Sequence, residues 1–255
     1  MKSGLRVEDR GPVRLLTLDR PARKNALNRA LLEALAEAVD PNTWPKVRCL
    51  VVRGHGGVFC AGYDLNELPK VTANGPLPDE HLGEVLDRLA RHPAPSVAAV
   101  TGPAFGAGFE LACACDFRLA GADARFCMPP VRLGLVYAPS GLARVQALVG
   151  LAKAKLLFLT GRTIDSDQAL AWGLVDERVS DVEKATQRLC AELVQGAPLA
   201  TRGTKRSFQL LGQTLLGESA RTELRRLRRE AFASADAREA RAAFLAKRSA
   251  RFVGR

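Results

Sequence analysis

The sequence predicts an α/β fold with a mainly parallel sheet, followed by a C-terminal region made almost wholly of helix. Three observations carry this. Short branched apolar runs end in turn residues, leucine and alanine recur at helical spacing between them, and helix-forming sequence is nearly continuous after Ala197. At 255 residues the chain is long enough for one large α/β core with an appendage. We divide it into a core, residues 1–195, and a helical region, residues 196–255.

Val13–Asp19 (VRLLTLD) is the first run that reads as a buried strand. Ala26–Val39 follows as a helix, with Leu27, Leu31, Leu32 and Leu35 at its spacing, and Val47–Gly54 (VRCLVVRG) completes a β-α-β unit. Asp79–Arg91 is helical, and Ser96–Val100 (SVAAV) supplies another strand. Farther on, Gly173 closes a helix, and Ser180-Asp181-Val182-Glu183 forms a capping box that opens the next, to about Val194. About three helical segments follow, whose apolar stripes need either the core or another subunit to cover them.

Hydrophobic residues at 47% and charged residues at 25% exclude wholesale disorder. The N-terminal MKSGLRVEDRG turns polar before an apolar leader core forms, and no stretch approaches the roughly 20 apolar residues of a bilayer span, so the expected location is cytoplasmic. The six cysteines include no C-x-x-C pair and sit mostly in apolar runs, which reads as reduced, buried thiols. His55, His81 and His92 lack the spacing of a helical metal pair, so no metal centre is expected. Of the net charge of +11, residues 196–255 hold most, with 14 Lys/Arg against 5 Asp/Glu centred on Arg221–Glu230. This reads as a solvated face, with attraction of phosphorylated ligands as the alternative. Nucleic-acid binding is disfavoured because aromatic residues are 5% of the chain and none interleaves with the cluster.

Two glycine-containing loops stand out, Gly54–Leu65 (GHGGVFCAGYDL) and Thr101–Leu111 (TGPAFGAGFEL), each after a strand and before helical sequence. Amides at a helix N-terminus lack intrahelical partners and point at whatever lies ahead. Two such loops side by side can aim two amides at one oxygen, which is how an oxyanion hole is built. Gly106-Ala107-Gly108 starts like a dinucleotide loop, but the third glycine position falls on Leu111. Neither a phosphate-binding G-x-x-x-x-G-K-[ST] nor a G-x-S-x-G nucleophile elbow occurs. Glu110 falls in the first turn after the second loop. It is positioned either for proton transfer or simply to complement the helix dipole. Asp64-Leu65-Asn66-Glu67 reads as a helix cap.

At these loops the chain resembles the crotonase, or enoyl-CoA hydratase/isomerase, superfamily. The motifs RPARKNALN (Arg20–Asn28), FCAGYDL (Phe59–Leu65), ELACACD (Glu110–Asp116), PPVRLGLVYAPSG (Pro129–Gly141) and AFLAKRSARFVGR (Ala243–Arg255) occur in the family's order along nearly the whole chain. The resemblance implies a crotonase-type spiral of ββα turns, a C-terminal helical trimerisation region and a homotrimer or dimer of trimers. It also implies a coenzyme A thioester substrate, with no permanently bound cofactor. It places the amides of Tyr63 and Ala107 on a thioester enolate, and Arg23, Lys24, Ala26, Ala61, Gly62, Asp64 and Leu65 along the coenzyme A site, with Lys247 reaching its phosphates. Ala107 stands where glycine is frequent.

Hydratases of the family use two glutamates; the first matches Glu110 and the second falls on Pro130. MPPVRLGLVY (Met128–Tyr137), NELPK (Asn66–Lys70) and the terminal FVGR are more similar to methylmalonyl-CoA decarboxylases, in which the residue matching Tyr137 lies in the pocket, although Tyr63 replaces the usual histidine. The expected catalytic residues are therefore Glu110, Tyr137, Tyr63 and Ala107. The favoured reaction is decarboxylation of a malonyl-type or related carboxyacyl-CoA. Hydration or isomerisation of an enoyl-CoA with Glu110 as the single acid/base is the alternative.

Overall fold

A computed structural model describes residues 3–42, 46–67, 77, 79–211 and 232–250, together with 222, 225, 226 and 229. The predicted strands β2 (Val13–Leu18), β3 (Cys49–Gly54) and β4 (Ser96–Val100) lie side by side and parallel. β6 (Phe117–Ala120) and β9 (Glu177–Arg178) extend them, and β1 (Leu5–Arg10) pairs antiparallel with β2, giving a six-stranded sheet in the order β1-β2-β3-β4-β6-β9. A second, three-stranded sheet holds β5 (Ala104–Phe105), β7 (Arg125–Cys127) and β8 (Thr163–Asp165). After β4 the chain gives β5 to the small sheet and then forms α3 (Ala107–Ala114). After β6 it gives β7 and then forms α4 (Pro139–Thr160). This is the ββα turn, repeated.

Apolar residues line both faces of the central strands, which is why their middles, such as Cys49–Val52 and Val97–Val100, are unbroken apolar runs. Leu16, Leu50, Val52, Ala98 and Val100 point into the main core with α1 (Arg29–Ala38), α2 (Glu80–Arg91) and α3. Leu15, Cys49, Val51, Val97 and Ala99 point the other way, onto Val182, Ala185 and Cys190 of α6 (Val182–Gln195). This alternation is the two-residue period of a strand.

Several local expectations change. α1 starts at Arg29 rather than Ala26, because the Asn28 side chain accepts from the Leu31 amide at 3.1 Å and caps it. The capping box at Ser180 is displaced by one residue: Asp181 is the cap, accepting from Lys184 N at 2.9 Å, and Glu183 pairs with Arg53 instead. Gly173 does end α5 (Ser166–Ala171), with φ 74 and its amide on Leu170 O. All six cysteines are buried and unpaired. Among the described residues there is no cluster suited to a metal, and no helix is long and apolar enough to cross a membrane.

The C-terminal region contributes α7 (Pro198–Leu211) and α8 (Ala235–Leu245). Lys205 of α7 pairs with Asp116 at 2.6 Å, and Gln209 bonds the Ala90 carbonyl at 2.8 Å. α8 returns to the core at Gly134, where a Cβ would meet Ala237 N at 2.8 Å. Leu199, Phe208 and Phe244 remain exposed on these helices. Much of the basic Arg221–Glu230 stretch and the terminal FVGR lie outside the described residues.

Candidate active site

The site is built where the two glycine loops meet the segment after β2. Asn25, fully buried and in the left-handed conformation (φ 57), donates from Nδ2 to His55 O at 2.8 Å and Val58 O at 2.7 Å, while its Oδ1 accepts from Arg20 N. One amide side chain thus pins the first loop to residues 20–27. Main-chain bonds continue the join, from Ala61 N to Lys24 O, Leu27 N to Gly62 O, and Asp64 N to Leu27 O. These bonds lay Lys24–Leu27 alongside Ala61–Asp64, with Arg23 and Leu65 at the ends of the two segments. Asp64 does not cap a helix, because residues 65–67 form a turn. Its buried carboxylate accepts from Arg20 Nη2 at 3.1 Å and from Asn66. Lys247 is exposed with φ 52, and among the described residues no contact ties it to either loop.

The first loop lies directly against the second. Cys60 N donates to Pro103 O and Phe105 N to Cys60 O at 2.9 Å. Gly62 has φ 105, and a Cβ there would come within 2.9 Å of Phe105 O and 3.6 Å of Ala107 N. Only glycine allows both that backbone and that approach. Ala107 opens α3, so its amide has no intrahelical acceptor. Around Tyr63, both neighbouring residues bond to Leu27, leaving its own amide out of the bridge. Among the described residues neither amide donates to a protein acceptor. The left-handed turn before the helix is taken by Gly106 (φ 52), so alanine at 107 sits without strain at the first helical position.

Glu110 lies one turn into α3 and is 1% exposed. Its Oε2 accepts from the Tyr137 hydroxyl at 2.7 Å, and its Oε1 from Arg144 Nη1. Arg144 turns its other nitrogen, Nη2, onto Asp87 of α2. Burial pushes the Glu110 carboxyl upward, the Arg144 charge and the Tyr137 hydrogen bond pull it back, and Asp79 pushes it up again; the net direction is up. Tyr137 is driven well above an ordinary tyrosine by burial and by the charge of Glu110. Gly141, in the first turn of α4, leaves room for both groups: a Cβ would lie 2.4 Å from Tyr137 Cε1 and 2.9 Å from Glu110 Cδ. Pro130 is buried in a short 3-10 turn and brings no ionisable group. Asn25, Asp87 and Arg144 were not singled out by sequence. Asn25 lay inside a matched motif, and Arg144 interrupts the apolar run of α4, which is the signal that marks it.

A family model for enoyl-CoA hydratase/isomerase matches residues 8–255. The chain is 36% identical to a probable enoyl-CoA hydratase of Rhizobium meliloti (strain 1021), covering 98% of both chains. It is also 36% identical to the 2,3-dehydroadipyl-CoA hydratase of Escherichia coli (strain K12), covering 95% of this chain and 96% of that one. A solved structure of methylmalonyl-CoA decarboxylase with 2S-carboxypropyl-CoA superposes with a TM-score of 0.91 at 28% identity, covering 99% of this chain and 98% of the other. A match over nearly the whole chain, in sequence and in fold, makes this protein a member of the enoyl-CoA hydratase/isomerase family, within the crotonase superfamily of acyl-CoA enzymes.

Proposed function

We propose that the protein is an acyl-CoA lyase that decarboxylates a malonyl-type or related carboxyacyl-CoA. The observation that carries this is the state of Glu110. Both of its oxygens are occupied by protein donors, and the position of a second glutamate is held by Pro130. A paired-carboxylate addition of water lacks half its groups. Decarboxylation needs no strong base: the bond from Cα to the carboxylate breaks, carbon dioxide leaves, and the electron pair passes into the thioester as an enolate. The amides of Tyr63 and Ala107 then bond the oxygen on which charge develops, each worth about 3 to 4 kcal/mol of transition-state stabilisation. Cα finally takes a proton, relayed through the Tyr137 and Glu110 pair, to give the shortened acyl-CoA.

The methylmalonyl-CoA decarboxylase superposition supports this reading. Coenzyme A belongs to the substrate, with its site along Arg23, Lys24, Ala26, Ala61, Gly62, the backbone of Asp64, and Leu65. The exposed Leu199 and Phe208 support assembly as a homotrimer or dimer of trimers. A second reading, hydration or isomerisation of an enoyl-CoA with Glu110 alone as acid and base, is favoured by the upward push on Glu110, in the direction a proton donor needs, and by the hydratase relatives. Incubation with methylmalonyl-CoA and, separately, crotonyl-CoA, followed by product mass, decides between them. Loss of carbon dioxide from the first with no water added to the second supports decarboxylation, and the reverse pattern overturns it. The Glu110→Gln variant keeps partial decarboxylation and loses hydration.

A further inference from the structure

Arg144 serves two carboxylates at once, Glu110 through Nη1 and Asp87 through Nη2. The guanidinium is mostly buried, at 14% side-chain exposure, and Glu110 is more so, at 2%. Screening by water is therefore weak at Glu110. Asp87 is the outermost of the three at 38% exposure, and it also meets Arg91 at 3.3 Å. The three charges come from three helices, α2, α3 and α4, so their alignment is a product of the fold and not of local spacing.

We propose that Asp87 is a positioning residue that acts on Glu110 through Arg144, drawing part of the guanidinium's attraction away so that Glu110 remains able to exchange a proton with Tyr137. An undivided arginine would favour the ionised form of Glu110 more strongly. With no arginine, burial would favour the neutral form. Division between two carboxylates sets Glu110 between those two pulls. The groups acting on Glu110 are Asp79, just before α2, Tyr137 and Arg144 from the side of α4, and Cys113 on α3 itself, with Asp87 of α2 behind Arg144; β5 brings none. The proposal rests on the reading that Glu110 faces the acyl group, but its test does not require turnover.

The carboxyl band of Glu110 is followed by infrared difference spectroscopy against pH in the ligand-free protein, identified by its loss in Glu110→Gln. Asp87→Asn keeps an oxygen for Arg144 Nη2 and removes the charge, so the titration midpoint of Glu110 moves down. Arg144→Met moves it up, and Arg144→Lys restores part of that rise. Shifts of about one pH unit are expected for charges at this range, and the pH profile of kcat follows each. A role confined to packing does not produce opposite signs. Equal signs for Asp87→Asn and Arg144→Met, or no movement in Asp87→Asn, overturn the proposal. If Arg144→Met fails to fold, Asp87→Asn and Arg144→Lys decide. Normal shifts without carboxyacyl-CoA turnover refute the proposed reaction alone.

Discussion

Replacement of Gly62 by alanine tests whether main-chain donors carry the chemistry. The position has φ 105, which L residues rarely adopt, and the added methyl would sit 2.9 Å from Phe105 O and 3.6 Å from Ala107 N. The loop must move, and the amide of the next residue, Tyr63, moves with it. Gly57→Ala in the same loop is the control: it has φ 77, but nothing lies within 4 Å of its Cβ. Both variants bear a backbone strain of about 1 to 2 kcal/mol. Gly62→Ala adds an overpacking cost of about 1 to 3 kcal/mol, and losing one oxyanion donor lowers kcat about 100- to 1,000-fold. Urea unfolding measures the stability difference and product mass against time gives kcat on carboxyacyl-CoA. A folded Gly62→Ala protein with kcat equal to that of Gly57→Ala would refute the reasoning, because the donors would then have moved without consequence.

Three further outcomes are expected. Asn25→Ala leaves the His55 and Val58 carbonyls unpartnered and strips the Arg20 amide of its acceptor. At about 0.5 to 1.5 kcal/mol for each of these part-buried hydrogen bonds, the urea midpoint falls. Gly141→Ala pushes Tyr137 off Glu110, since its Cβ would lie 2.4 Å from the ring; loss of the tyrosine-to-carboxylate bond is read in the infrared band of Glu110. His92 is buried, and burial pushes its pKa down from 6.5 to about 4, helped by Lys205 and Arg202. A depressed imidazole contributes stability in full above pH 6.5, and that stability is lost as pH falls through the folded value near 4. It amounts to about 3 kcal/mol at most. His92→Gln should flatten the stability profile across that window, and an unchanged slope would show that His92 is not the group responsible.

The central strands were legible because they are covered on both faces, so Cys49–Val52 and Val97–Val100 are apolar without interruption. β1 escaped because it is a charged edge, LRVEDR, nearly all exposed, where the pattern that marks burial has nothing to report. Glu110 was legible by its oddity, a carboxylate between glycines and core residues. Its charged partner was not, since Arg144, with Asp87 behind it, meets Glu110 only after three helices pack. Asp64 shows a local pattern shared with a tertiary contact: the capping spacing is present, yet Arg20 takes one carboxylate oxygen and the other closes a turn at Asn66. At Ser180 the competition was between adjacent oxygens, and Asp181 won it.

On the proposed reading the two donors are main-chain groups, so a random-mutagenesis screen for inactive clones should return few hits at 63 and 107 themselves. Losses should cluster instead at Gly62, Gly106 and Asn25, whose shapes hold the peptide planes. Tyr63 and the residues lining the acyl end are then free to vary for substrate preference, with the donor pair inherited intact.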